Sequence, residues 1–185
     1  MTSALEIELL SGRIYIDTGN ASGQHEPLLV RTPAGTIQHL GTQYMAGVEG
    51  KAVFVTVREG RVEIATVKAK STAHPGERLD VDTSGTEHTS IVPTFGGVWE
   101  WTEQVTPEFK LDGLSAYDFA NWAGRETGRQ VGFESADAEA LARETILRGS
   151  IDLEPIRALD LILQTSDLEP VVEGGNILIR MRTGA

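Results

Sequence analysis

In the first half of the chain, apolar and polar positions alternate over short runs, and glycine punctuates the runs. Val53, Val55 and Val57 fall on one face of an extended segment, and Phe54, Thr56 and Arg58 fall on the other. Val62 and Ile64 alternate with Glu63 and Ala65 in the same way. The pattern predicts strands over Glu6–Leu10, Arg13–Ile16, Leu28–Arg31, Thr36–Leu40, Tyr44–Val48, Ala52–Val57, Val62–Val67, Leu79–Val81 and Ser90–Val92. Turn residues close nearly every run: Asp17-Thr18-Gly19, Thr32-Pro33-Ala34-Gly35, Gly41, Glu49-Gly50 and Glu59-Gly60. Residues 68–76 are expected to form an exposed loop. Short strands joined by tight turns predict a β-rich domain over residues 1–92, a solenoid-like roll or a sandwich. No fixed repeat period runs through it.

The period changes after residue 108. Ser115, followed three residues later by Asp118, has the form of a capping box, and Ala116, Phe119, Ala120 and Ala123 recur at helical spacing up to Gly128. Gln130–Phe133 reads as a strand, and Glu144–Ile151 as another. A second helix starts at Pro155, with Ile156, Leu159, Ile162 and Leu163 as its stripe. Val171–Val172 and Ile177–Met181 form a hairpin turned by Glu173-Gly174-Gly175-Asn176. With a short strand at Phe109–Leu111, residues 109–185 are expected to be a small α+β domain of order β-α-β-β-α-β-β. Residues 93–108 hold two prolines and two glycines and read as a junction. An extended Trp99-Glu100-Trp101 there would put both indoles on one face.

Composition narrows the function classes. The chain has 185 residues, 40% of them hydrophobic, enough for a packed core. Its net charge is −11, and residues 93–185 contribute eight basic and sixteen acidic side chains. Nothing supplies the basic face that phosphate binding needs, so nucleic acid is not expected as a partner. The absence of cysteine excludes disulfides, thiol nucleophiles and thiolate-held metals. His25, His39, His74 and His88 have no metal-ligand spacing, and there is no Walker loop, nucleophile elbow or dinucleotide fingerprint. Enzymatic activity and a cofactor are therefore not expected, and the acidic Asp80–Asp82 run lacks calcium-loop spacing. No run approaches the roughly 20 apolar residues of a membrane span. The first residues lack the basic and apolar stretches of a signal peptide, which leaves a cytosolic protein or a fragment cut downstream of its export signal.

The stretch Val30–Tyr44 resembles the signature of the FecR family: a strand, Thr-Pro-x-Gly, a second strand, then Gly-Thr-x-aromatic. Val53–Val57 followed by Glu59-Gly60-Arg61-Val62, and later Gly76-Glu77-Arg78-Leu79, are similar to the family's next features. Residues 109–181 resemble the small secretin and TonB N-terminal (STN) domain. The resemblance implies the periplasmic portion of a regulator that crosses the inner membrane once. In such a regulator a cytoplasmic segment, lacking here as is the membrane segment, holds a sigma factor. The periplasmic portion would read the N-terminal signalling domain of a TonB-dependent receptor. Docking by strand addition puts the expected partner surface on edge strands, with Ile177, Ile179, Arg180, Thr145 and Leu147 as its residues. Trp99 and Trp101 are candidate aromatic anchors. The alternative reading is an envelope scaffold or a carbohydrate-binding module, the latter requiring an exposed Trp99 or Trp101 in a groove.

Overall fold

The alternation through residues 36–65 builds two long strands in place of four short ones. The computed structural model describes residues 5–19 and 28–182, with backbone alone over 40–42, and they divide into two units, Met1–Thr94 and Phe95–Ala185. His25 lies outside the described residues. The first unit holds β1 (Leu5–Glu8), β2 (Gly12–Asp17), β3 (Leu28–Arg31), β4 (Thr36–Glu49), β5 (Ala52–Ala65), β6 (Lys70–Ala73), β7 (Glu77–Asp82) and β8 (Glu87–Ile91).

β4 and β5, fourteen residues each, form one antiparallel hairpin that every other strand extends. β3 pairs with the start of β4 and β2 with its end. β7 pairs with the start of β5 and β6 with its end. One half of the sheet therefore runs β1-β3-β4-β5-β6 and the other β2-β4-β5-β7-β8. The register slips between Leu40 and Tyr44. Opposite the slip stands Gly60 at φ 78°, a left-handed conformation that glycine adopts at little cost. A bulge of this kind bends a strand, so one hairpin serves both halves. Val30, Ile37, Val62, Ile64 and Ala73 from one half share a core with Ile16, Tyr44, Val53, Val55, Val57, Leu79 and Val81 from the other. The result is a β-rich roll of the expected class. It is antiparallel but for the β1–β3 pair, and so is not a solenoid stack. β6 occupies part of the expected 68–76 loop, closing on β5 through a turn in which Thr66 accepts from Lys68 and Ala69 N–H.

Two glycines are explained by close approach. At Gly35 a Cβ would stand 2.4 Å from the Ala65 carbonyl oxygen. The turn it closes is bonded in both directions, Thr32 N–H donating to Gly35 O at 2.9 Å and Gly35 N–H to Thr32 Oγ1 at 3.1 Å. At Gly47 a Cβ would stand 2.3 Å from the Phe54 ring, which lies across its cross-strand partner. The Arg78 guanidinium sits 4.0 Å from the centre of that ring, held by Asp80 at 2.7 Å.

The second unit opens with a segment that is helical, not extended. Gly96 and Gly97 take φ of 59° and 49°, a 3₁₀ turn covers Gly97–Trp99, and α1 spans Glu100–Glu103. Thr102 Oγ1 donates to Trp99 O at 2.7 Å, fixing the turn. The expected common face for Trp99 and Trp101 is thereby lost: consecutive helical residues do not project in a two-residue alternation. β9 (Phe109–Lys110), α2 (Ala116–Thr127), β10 (Gln130–Phe133), α3 (Ala136–Glu144), β11 (Ser150–Ile151), α4 (Pro155–Leu163), β12 (Leu168–Glu173) and β13 (Asn176–Met181) follow. This is an α+β unit as expected, with α3 added to the expected order. Ser135 caps α3, accepting from Ala138 N–H at 3.1 Å, and the body is alanine-rich, the best helix former. Its buried stripe, Ala138 and Ala142, has little apolar contrast in the sequence. The expected strand over Glu144–Ile151 shrinks accordingly to Ser150–Ile151, paired with β9. The helices bury Phe119, Ala123, Ala142, Leu159 and Leu163 against Ile177, Ile179 and Leu168. Phe109 stacks on Trp122 at 4.2 Å.

Gly47→Ala is expected to destabilise the chain by about 1–3 kcal/mol in urea unfolding through overpacking against Phe54. Adding Phe54→Leu should recover part of the loss; additive effects would show that the ring is not the cause.

The capping box of α2 also has a pH signature. Asp118 Oδ2 accepts from Ser115 Oγ at 2.7 Å and from Ser115 N–H at 3.0 Å, which hold its carboxyl below the usual aspartate range. A carboxylate depressed in the folded state adds stability above its unfolded pKa and loses it as pH falls through the folded value. Ser115→Ala should therefore cost about 1 kcal/mol at neutral pH. The difference from wild type should narrow as the solution is acidified below the ordinary aspartate range; a constant difference would remove the carboxylate from the account.

Candidate interaction surface

An unpaired strand edge is the feature of a small sheet that a partner's backbone can use, so the sheet order β10-β13-β12 decides where it lies. β13 is the middle strand. It pairs in parallel with β10, Gln130 to Asn176 through Phe133 to Ile179, and antiparallel with β12, Leu168 to Met181 through Glu173 to Asn176. The expected edge at Ile177–Met181 is thus enclosed on both sides. The parallel partner had been hidden, because Gln130–Phe133 lies far from β13 in sequence.

The two true edges differ. Along β12, Arg182 N–H donates to Asp167 O at 2.8 Å, and the bonded pairs alternate from there, turning Leu168, Pro170 and Val172 outward. Pro170 has no N–H, and Leu168 N–H is taken by Ser166 Oγ at 3.2 Å. Only Val172 is left to donate. Along β10, Gln130 N–H donates to Gly175 O at 2.8 Å and Glu134 N–H to Ile179 O at 2.9 Å. Alternation turns the Val131 and Phe133 backbones outward. β10 therefore presents two donors and two acceptors with no proline among them.

The face of this sheet away from the helices carries a depression of about 480 Å³. Leu178, 37% exposed, forms its floor beside Val171 and Gly132. Gln130, Asn176, Glu173 and Arg180 form the rim. Gly132 does not need to be glycine: its φ is not positive, and a Cβ there would meet nothing closer than Leu178 Cδ1 at 3.9 Å.

The residues singled out in the sequence are scattered by this geometry. Ile177 and Ile179 are buried in the core of the second unit. Arg180 lies on the open face, its Nε donating to Glu169 at 2.7 Å. Thr145 ends α3, donating to Leu141 O at 2.8 Å, and Leu147 is buried in the same core as Ile177. Trp99 is fully buried and presents no exposed ring, while Trp101 is half-buried. The residues that sequence reading missed are Val131, Gly132, Phe133 and Leu178. Gln130–Phe133 was legible as a strand, and only the pairing partner was not.

Two acidic groups of the first unit are engaged locally. Asp82 Oδ1 accepts from Ser84 and Thr86 N–H at 2.8 and 2.9 Å, closing a turn. Asp80 holds Arg78. Among the described residues no group of three or more His, Asp or Glu is arranged to hold a metal ion. His39 is buried, stacked 6.0 Å from Tyr44, while His74 and His88 are exposed. Tyr44, the aromatic of the Gly-Thr-x-aromatic stretch, is fully buried, and burial pushes its phenol up. That stretch supplies core. No helix among the described residues is long and apolar enough to cross a membrane.

The family described as "FecR protein" matches the chain over residues 2–63. The match takes in the Thr32–Gly35 turn and most of the β4–β5 hairpin, and stops before Gly76–Leu79. Two crystal structures of a "putative anti-sigma factor" from Parabacteroides distasonis ATCC 8503, at 2.50 and 1.65 Å, are similar at 15% and 16% identity. They cover 94% and 93% of this chain and 80% of their own, with a TM-score of 0.41 in both cases. No curated protein matches the chain.

The edge assignment is checked by hydrogen exchange followed by NMR. The amides of Val131 and Phe133 should exchange fast, and those of Gly132 and Ile179 slowly. Protected Val131 and Phe133 amides in the isolated chain would show that the β10 edge is already covered.

Proposed function

We propose that this chain, whose first unit carries a FecR-family segment, is the signal-receiving portion of a sigma-factor regulator and acts by binding another protein. The observation that carries the reading is the family match over residues 2–63, on the hairpin that organises the first unit. The role belongs to a regulatory, non-enzymatic class.

The finer reading places the chain in the periplasm and gives it the N-terminal signalling domain of a TonB-dependent receptor as partner. A sigma factor would be reached only through a cytoplasmic segment outside this chain. The second unit is taken as the STN-like part, in keeping with its small α+β fold and free strand edge. A glycan-binding role is less well supported, since Trp99 is fully buried.

Calorimetric titration of the chain with the signalling domain of the TonB-dependent receptor encoded nearest to it tests this. One-to-one binding with a Kd of about 1 µM or tighter is expected. No heat at two temperatures would remove that receptor as the partner.

A further inference from the structure

We propose that the outer edge of β10 is a strand-addition site for an extended, basic segment of a partner protein, one apolar side chain of which enters the depression beside Gly132. The proposal rests on the regulatory reading only for the identity of that partner.

Three independent features converge on this edge. The first is backbone chemistry: Val131 and Phe133 turn their N–H and C=O groups outward, whereas Pro170 and the Ser166-bonded Leu168 blunt the opposite edge. The second is shape. An added strand beside β10 places every other side chain over the open face. The residue opposite Gly132 meets no side chain on β10 and reaches across it toward Leu178, at the near side of the depression of about 480 Å³. An apolar side chain there covers a Leu178 that is 37% exposed.

The third is charge. Glu134 continues β10 on the same face as Gly132, Glu173 stands exposed on the rim of the depression, and Asp137 is exposed in the first turn of α3. None of these three is in an ion pair among the described residues, while the neighbouring Arg180 and Arg129 are held by Glu169 and Glu103. A Lys or Arg two residues from the apolar anchor meets Glu134 as a cross-strand pair. Residues 95–185 carry eight basic and sixteen acidic side chains, so a second copy of this chain brings like charge to the edge and a basic segment brings opposite charge.

The test uses the full chain and two probes: a capped Thr-Lys-Thr-Val-Thr-Lys-Thr peptide, and the receptor signalling domain. The peptide at saturation should slow exchange of the Val131 and Phe133 amides several-fold and leave Val172 unchanged. Replacing its lysines by glutamate should weaken it about tenfold, the equivalent of about 1.4 kcal/mol. Gly132→Val fills the slot with a β-branched residue that suits a strand, and should abolish peptide protection without lowering the melting temperature. Val172→Thr, on the opposite edge, should bind as wild type and serves as the control.

Peptide binding that spares Val131 and Phe133, no peptide binding at all, or undiminished binding to Gly132→Val would overturn the proposal. So would protection of these amides that rises with protein concentration alone, the mark of a second copy. The receptor domain separates the two claims. If it binds one-to-one while the Val131 and Phe133 amides stay unprotected, the edge assignment falls and the relay reading stands. If it gives no heat while the peptide protects those amides, the relay reading falls and the edge assignment stands.

Discussion

The parallel pairing of Gln130–Phe133 with Asn176–Ile179 decides what the second unit can offer to another protein. A strand with neighbours on both sides has spent its backbone groups, so β13 becomes a structural centre and contact passes to the edges. Of those, β12 carries Pro170, and β10 does not. The same pairing sends Ile177 and Ile179 into the helical side and Leu178 to the open side, giving that edge an apolar floor beside it.

A comparable constraint governs the first unit. Two strands of fourteen residues would run past any single core, and the slip between Leu40 and Tyr44 opposite Gly60 lets one hairpin belong to both halves of the sheet. Tyr44, just beyond the slip, is then fully buried, and the turn at Thr32–Gly35 closes against the Ala65 carbonyl. The FecR-like stretch therefore consists of residues that set bends, turns and core. Its chemistry is that of a structural core.

Much of this was legible because local rules carried it. The Ser115–Asp118 capping box, the Gly128 stop, the Pro155 start and the Glu173–Asn176 hairpin all rest on contacts within a few residues. The facing pattern of Val53, Val55 and Val57 held for the same reason. What failed was non-local or low in contrast. The partner of β13 lies some forty residues away in sequence, so Ile177–Met181 looked like an edge. The alanine stripe of α3 gave no strong periodicity, and Thr145–Leu147 was read as strand. Gly41 and Gly60 were read as strand ends, although a glycine inside a bulge bends a strand without stopping it. The Trp99–Trp101 alternation was overridden by the two left-handed glycines before it.

The most direct test of the central claim is chemical-shift mapping of the full, isotope-labelled chain titrated with the receptor's signalling domain. Saturable shifts should centre on residues 130–134 and on Leu178, with the first unit little changed. Shifts confined to the first unit, or none at all, would contradict the account of this chain as a receiver that binds through the β10 edge.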